Sequence, residues 1–105
     1  MEFVETPIFT AEVKSLLADE EYRSLQLALA LRPQQGSVIP GSGGLRKVRW
    51  KAKCKGKSGG VRVIYYWITE ESRIYMLMIY GKSSQANLTP AQAKILSRLV
   101  KEELR

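Results

Sequence analysis

Eight basic residues and no acidic residue lie in the segment from Arg46 to Arg62, RKVRWKAKCKGKSGGVR. Every second position is basic over part of this segment, at Lys47, Arg49, Lys51, Lys53, Lys55 and Lys57. On a β-strand, alternate side chains share one face at a spacing of roughly 6.5–7 Å, which is similar to the spacing of phosphates along a single strand. The pattern therefore favours a nucleic-acid-binding row over a solubilising surface.

Two more basic residues stand where a strand would otherwise be apolar. Arg62 lies in a run of Val, Ile, Tyr and Trp, and Lys82 follows Gly81 at the end of another apolar run. A guanidinium holds a phosphate through a bidentate fork, and a glycine allows a ligand to approach the backbone closely. The alternatives are a salt bridge from Arg62 to Glu70 or Glu71 and a plain solvent-exposed position for Lys82.

Charge is segregated along the chain. Residues 1–31 carry a net charge of −4, residues 32–82 carry +9 and residues 83–105 carry +2, giving +7 in total. This asymmetry indicates an oriented surface for an anionic partner. With no histidine and a single cysteine, the chain predicts no metal site and no cofactor. The basic neighbours of Cys54 are expected to lower its pKa.

The elements that would position these residues follow from hydrophobic periodicity and capping signals. We predict helices at about 7–17, 19–31 and 90–104, the second capped by Asp19 and the last opened by the capping box Thr89-Pro90-Ala91-Gln92. We predict strands at 3–5, 45–53, 61–68 and 74–80, the last three forming an antiparallel meander. Residues 34–44, rich in Gly, Ser and Pro, are expected to form a loop. The chain is predicted to be one α+β domain spanning residues 1–105.

The N-terminal sequence MEFVETPIF places an acid on either side of a short apolar pair, and no apolar run in the chain reaches ten residues. These features predict neither a secretion signal nor a membrane segment. We therefore expect a cytoplasmic protein with no membrane partner.

Three short motifs, L-R-K-V-R, G-G-V-R-V-I-Y-Y and I-Y-G-K, occur in this order. Together with the order of elements, they resemble the RelE/HigB superfamily of bacterial toxins over nearly the whole chain, closest to the HigB-like branch. The resemblance implies a RelE-like fold, in which a small, mainly antiparallel sheet is packed by two N-terminal helices and a C-terminal helix. It also implies a ribosome-dependent mRNA endonuclease, monomeric when free, that a helix-turn-helix antitoxin of the HigA-like kind holds inactive.

Carried over residue by residue, the resemblance assigns catalytic positions to Lys47 and Arg49 on the strand before the central hairpin, to Arg62, and to Lys82. The sequence also departs from the family pattern. Ser83 stands where RelE has an arginine, and Leu88 or Thr89 stands where it has a tyrosine. No tyrosine or histidine follows Tyr80.

Without a histidine, cleavage would rely on attack by the RNA's own 2′-hydroxyl on the adjacent phosphorus. Arg62 is then the candidate for stabilising the charge of the transition state. The base could be Lys47 or Lys82, because neighbouring cations disfavour the charged form of a lysine. The remaining basic residues are expected to bind the RNA backbone, namely Arg46, Lys51, Lys53, Lys55 and Lys57.

Two other functions fit the same residues. A ParE-like toxin that inhibits gyrase and a non-catalytic nucleic-acid-binding domain would both use a basic strand. The presence of both Arg62 and Lys82 favours the nuclease, because a gyrase inhibitor has no evident need for these two residues. The antitoxin is expected either to cover the basic strand or to dock on the acidic N-terminal helices.

Overall fold

The structure, a computed structural model, describes residues 1–104, with only the backbone described at residues 57 and 58. Its strands are β1 Glu2–Glu5, β2 Ser37–Val38, β3 Arg46–Ala52, β4 Lys57–Ile68 and β5 Arg73–Gly81. Its helices are α1 Pro7–Leu16, α2 Asp19–Leu31 and α3 Pro90–Leu99, the last continuing as a π-helical turn over Val100–Leu104. Short 3₁₀ turns at Lys53–Lys55 and Thr69–Glu71 link β3 to β4 and β4 to β5.

The five strands form one sheet in the order β1-β5-β4-β3-β2. The predicted antiparallel meander of β3, β4 and β5 is confirmed. Two edges differ from the prediction. β1 joins β5 in parallel, with Glu2 opposite Arg73, and a two-residue strand, β2, forms within the predicted loop 34–44 by pairing with β3. The predicted α+β class, a mainly antiparallel sheet packed by two N-terminal helices and a C-terminal helix, is confirmed.

Capping residues fix where α1 and α3 begin. The Thr6 hydroxyl accepts a hydrogen bond from the Phe9 N–H at 3.1 Å and donates to the carbonyl of Leu77 on β5 at 2.8 Å. The predicted capping box of α3 is also formed, because the Gln92 N–H donates to Thr89 Oγ1 and the Thr89 N–H donates to Gln92 Oε1. Both caps satisfy backbone donors that a helix start leaves free.

The start of α2 differs by one residue from the prediction that Asp19 caps it. The N-cap is Ala18, and Asp19 is the first helical residue. The Glu21 carboxylate replaces the missing cap side chain by accepting the Ala18 N–H at 3.0 Å. That backbone hydrogen bond is the main reason why the pKa of Glu21 is lowered, and the acidic first turn also complements the helix dipole.

The sheet separates two apolar clusters. Helices α1 and α2 cover one face, where Phe9, Val13, Leu25 and Leu29 belong to the cluster that includes Tyr65. On the opposite face, Leu96 and Val100 pack with Leu45, Ile64, Leu77 and Tyr80. Since strand side chains alternate, Arg62 lies on this second face, two residues from Ile64. Arg62 therefore lies on the sheet face that the C-terminal helix covers only in part, since it lines an open cleft there.

Tyr65 ties the connection between α2 and β2 to the centre of the sheet. Its side chain is fully buried, and its hydroxyl donates to the Pro33 carbonyl at 2.7 Å and accepts the Gly36 N–H at 2.9 Å. A Cβ atom added at Gly36 would lie 2.7 Å from this hydroxyl oxygen, so the close contact requires glycine. Burial raises the pKa of Tyr65, which keeps the hydroxyl protonated as a donor.

Tyr65→Phe is expected to lower the free energy of unfolding by about 1–3 kcal/mol, because it leaves a part-buried carbonyl and a buried N–H without their partner. Denaturant unfolding of the two proteins measures the difference. Tyr66→Phe removes the same hydroxyl from the next, only partly buried residue of β4. It is the matched control and should stay close to the parent protein. Equal stability of the Tyr65 variant and the parent would contradict this account of the connection.

Candidate nucleic-acid interface

Three polar side chains form a row across the sheet on the face that α3 partly covers. Arg49 on β3 lies opposite Arg62 on β4, and Arg62 lies opposite Tyr80 on β5. Residues directly opposite each other on antiparallel strands project from the same face, with Cβ atoms roughly 4.5–5.5 Å apart. The row therefore brings two guanidinium groups and a phenol together from three different strands.

Arg62 is the one buried charged residue among the side chains that the structure describes, with 7% of its surface exposed. Its Nη1 donates to the carbonyls of Gly59 at 3.2 Å and Val61 at 3.3 Å. These are long hydrogen bonds. A buried guanidinium held only by backbone carbonyls is costly in the free protein, and an anion would offset that cost.

The alternative in which Arg62 pairs with Glu70 or Glu71 is wrong. Ion pairs in the described part of the chain are confined to Arg73, which binds Glu2 and Glu71 at 2.7 Å each. The register explains why, because Arg73 lies opposite Ile68 at the far end of β4 from Arg62. The acidic residues of the β4–β5 turn therefore neutralise the other end of the hairpin.

Arg62 lies in the wall of a cleft of about 750 Å³ at the end of the sheet where β3 turns into β4. The residues that line it are Arg49, Trp50, Lys51, Ala52, Lys53, Gly56, Gly59, Gly60, Arg62 and Lys82. Five of these side chains are cationic and none is acidic. Clefts lined by one sign of charge raise the local concentration of ligands of the opposite sign, so this cleft is suited to a phosphodiester backbone.

A glycine pair shapes one side of the cleft. Gly59 and Gly60 both have positive φ, at 79° and 74°. A Cβ atom on Gly60 would lie 2.3 Å from the Trp50 carbonyl oxygen, and one on Gly59 would lie 2.7 Å from Cδ of Lys82. The pair therefore lets β3 and β4 approach closely and lets the Lys82 side chain lie against Gly59.

The predicted site residues fall into two groups in the structure. Arg49, Arg62 and Lys82 line the same cleft. Lys47 does not line it, although Arg49 lies only two residues away; its Nζ donates to Oδ1 of Asn87 at 3.2 Å, within a neighbouring groove that Arg49 also lines. The structure thus brings together three of the four residues for which a catalytic position was predicted.

The predicted cationic row along a single strand is wrong beyond Lys51. β3 ends at Ala52, where the register shifts, and Lys53–Lys55 form a 3₁₀ turn closed by Gly56 at φ 64°. Lys53 still lines the cleft and Lys55 is exposed at the turn. The side chain of Lys57 lies outside the described residues. The expected straight row of cations therefore bends at the turn that holds Lys53 and Lys55.

Two further side chains behave differently from the sequence expectation. Arg46 donates from Nη1 to the carbonyls of Gln34 and Gly36 at 3.0 and 2.8 Å, so it holds the α2–β2 connection. The expected lowering of the pKa of Cys54 is wrong. The nearby Glu21 carboxylate raises the pKa of this thiol and outweighs Lys55, because α2 brings an acidic residue against the turn.

Tyr80 also belongs to this row, and the sequence patterns do not predict it as a site residue. Burial raises the pKa of its phenol, and the charge of Arg62 acts in the opposite direction. The signal was present in the spacing, since Tyr80 stands two residues before Lys82, which directly follows β5, and alternate positions of an extended chain share a face. A tyrosine at this position was read only as part of an apolar run.

Within residues 1–104, no three His, Cys, Asp or Glu side chains are close enough together to hold a metal ion. None of the described helices combines the length and the apolar character needed to span a bilayer.

No family model matches this sequence. Its backbone is similar to that of the E. coli RelBE toxin–antitoxin complex, with a TM-score of 0.60 and 14% identity over 76% of this chain and 94% of that one. A double arginine-to-alanine mutant of free E. coli RelE gives 0.60 and 14%, covering 80% and 85%. The isolated E. coli RelE toxin gives 0.59 and 15%, covering 93% and 97%. The chain therefore has the RelE fold.

Proposed function

We propose that this protein is the toxin of a toxin–antitoxin pair and cleaves mRNA on the ribosome, as an endoribonuclease of the HigB-like branch. The observation that carries the proposal is the buried Arg62 in a cleft whose charged side chains are all cationic. The RelE fold supports it, because the structural neighbours include a toxin solved with its antitoxin. A cleft of this charge is suited to binding the RNA backbone and to stabilising added negative charge on phosphorus.

The proposed reaction uses the 2′-hydroxyl of the RNA as nucleophile. The 2′-oxygen forms a bond to the adjacent phosphorus, the bond from phosphorus to the 5′-oxygen breaks, and the 2′-hydroxyl proton passes to a base. Arg62 stabilises the extra negative charge of the phosphorane, and the leaving 5′-oxygen takes up a proton. No step requires a bound metal ion or a cofactor, because positioning and charge stabilisation supply the rate.

Lys82 is better placed than Lys47 to act as the base. Lys82 lines the cleft with Arg62, whereas Lys47 is hydrogen-bonded to Asn87 in the neighbouring groove. A base must come within hydrogen-bond reach of the proton that it removes. Lys47 and Arg49 then hold the RNA on either side of the scissile phosphate. Lys51 and Lys53, which also line the cleft, bind its backbone.

We further propose that the protein is a cytoplasmic monomer when free and pairs with a helix-turn-helix antitoxin of the HigA-like kind. Residues 32–82, with a net charge of +9, would attract an acidic antitoxin segment and speed association at low salt. The N-terminal helices, whose net negative charge lies in α2, offer a second docking surface on the opposite face of the sheet.

Translation in vitro followed by mapping of mRNA ends tests the proposed function. We expect the protein to cut mRNA on ribosomes and to leave the same naked RNA intact at equal protein concentration, because the chain has no histidine pair with which to act alone. Efficient cleavage of naked RNA would contradict ribosome dependence. Intact mRNA together with inhibited gyrase supercoiling would indicate the ParE-like function, and neither effect would indicate a binding domain.

Lys55→Ala tests whether a basic residue outside the cleft contributes to RNA binding alone and not to catalysis. Lys55 is exposed and does not line the cleft, so its loss is expected to weaken RNA association only modestly and to reduce the salt dependence by about one phosphate contact. Binding measured at several salt concentrations gives both quantities. If cleavage fell as far as in an Arg62 variant, the assignment of Lys55 to backbone binding alone would be wrong.

A further inference from the structure

Tyr80 carries a buried hydroxyl that has no partner. The residue is 5% exposed, and its hydroxyl is the one buried side-chain polar atom in the described part of the chain that makes no hydrogen bond to protein. Buried polar groups are paired in the large majority of cases, so an exception needs an explanation. A structural role does not supply one, because the phenol ring alone would fill the same apolar space.

Across the sheet, Tyr80 is the strand neighbour of the buried cleft residue Arg62. Tyr80 lies directly opposite Arg62 on the same face of the sheet, and the charge of Arg62 reaches it strongly enough to oppose the effect of burial on its pKa. Only Nη1 of Arg62 donates hydrogen bonds to the described residues. Tyr80 itself is not among the residues that line the cleft. Two buried side chains at directly opposed strand positions thus retain donors that the described residues do not use.

We infer that Tyr80 is a second hydrogen-bond donor to the phosphate that Arg62 binds, an inference that rests on the proposed function. The guanidinium supplies charge through its fork, and the neutral phenol supplies a directed O–H. Burial raises the pKa of Tyr80, so the hydroxyl remains protonated at neutral pH and donates a hydrogen bond without transferring its proton. The phosphate oxygens would satisfy both side chains at once, as donors in an oxyanion hole do.

This role gives Tyr80→Phe opposite effects on folding and on binding. Removing an unpaired buried hydroxyl relieves its desolvation, so the thermal midpoint should equal or exceed that of the parent. Losing a donor to an anion should weaken phosphate binding about tenfold or more. Tyr66→Phe is the matched control. Tyr66 packs against the same cluster as Tyr80 but lies four residues beyond Arg62 on β4, so its change should alter neither the thermal midpoint nor phosphate binding.

The test is a double-mutant cycle on binding of a short single-stranded RNA made uncleavable by 2′-methoxy groups, followed by fluorescence anisotropy at low salt. The proteins are the parent, Tyr80→Phe, Arg62→Ala and the double variant. If both side chains hold one phosphate, Tyr80→Phe weakens binding in the parent and adds little in the Arg62→Ala background. Additive effects, a change below twofold in the parent, or a lowered thermal midpoint would overturn the inference.

The cycle remains informative if the proposed function fails. Absence of mRNA cleavage by the parent protein on ribosomes would refute the nuclease, while coupling between Tyr80 and Arg62 in binding would still establish a shared phosphate site. Conversely, a nuclease whose Tyr80→Phe variant binds RNA and cleaves on ribosomes like the parent would leave the proposed function standing and remove Tyr80 from it.

Discussion

The Arg62→Ala variant is expected to cleave mRNA on ribosomes at least about a hundredfold more slowly than the parent. That is the order of loss found when one preorganised donor to a developing oxyanion is removed. The fold should survive, because Arg62 makes two long hydrogen bonds to backbone carbonyls of the described residues and its removal takes a costly charge out of a buried position. Single-turnover cleavage of a programmed ribosome complex measures the rate, and circular dichroism measures the fold.

Two variants sharpen this prediction. Arg62→Lys keeps the charge but loses the planar fork, so it should recover only part of the rate. Arg73→Ala removes an arginine that is paired with Glu2 and Glu71 at the far end of the β4–β5 hairpin, and it should cleave at the parent rate. Full activity of Arg62→Ala, or an equal loss in Arg73→Ala, would show that the cleft is not the reaction site.

Replacing the 2′-hydroxyl at the scissile nucleotide by 2′-deoxy or 2′-methoxy is expected to abolish cleavage and to leave binding nearly unchanged. The attacking group is lost, whereas the contacts from the cationic cleft to the backbone phosphates remain. The products from unmodified mRNA should carry a 2′,3′-cyclic phosphate or a 3′-phosphate on one fragment and a 5′-hydroxyl on the other. A water molecule bound to a metal ion would leave 5′-phosphate ends instead.

End-group analysis decides between these chemistries. Fragments that accept a 5′-phosphate from a kinase without prior dephosphorylation carry a 5′-hydroxyl, as expected here. Fragments that require dephosphorylation first would overturn the mechanism. Removing magnesium is a poor substitute for this experiment, because ribosomes themselves need the ion.

The sequence predicted those elements that local signals specify. The capping box at Thr89 and Gln92, and the short links that make β3, β4 and β5 a meander, depend on residues close together in the chain. The parallel pairing of β1 with β5 and the brief pairing of β2 with β3 could not be predicted. Both depend on which strand edge is free after the rest of the sheet has assembled.

The candidate site was predictable in part for the same reason. Arg62 and Lys82 stood out because a charge in an apolar strand is costly. Their shared cleft with Arg49 depends on cross-strand register, which spacing along one strand does not determine. The alternation of Lys residues was misleading beyond Lys51, because a glycine-closed turn overrode the period of two.

The parallel pairing of β1 with β5 also sets when the protein can finish folding during its own synthesis. Glu2 can pair only after Arg73 has been synthesised. Likewise, the Thr6 hydroxyl can donate to the Leu77 carbonyl only once that residue, 71 positions further along the chain, is present. Contacts this distant in sequence form late, because a long loop must close first. Since Lys82 follows directly on β5, the cleft and the sheet edge are completed at nearly the same point of chain elongation. A nascent chain released before that point would contain the basic segment without the completed cleft.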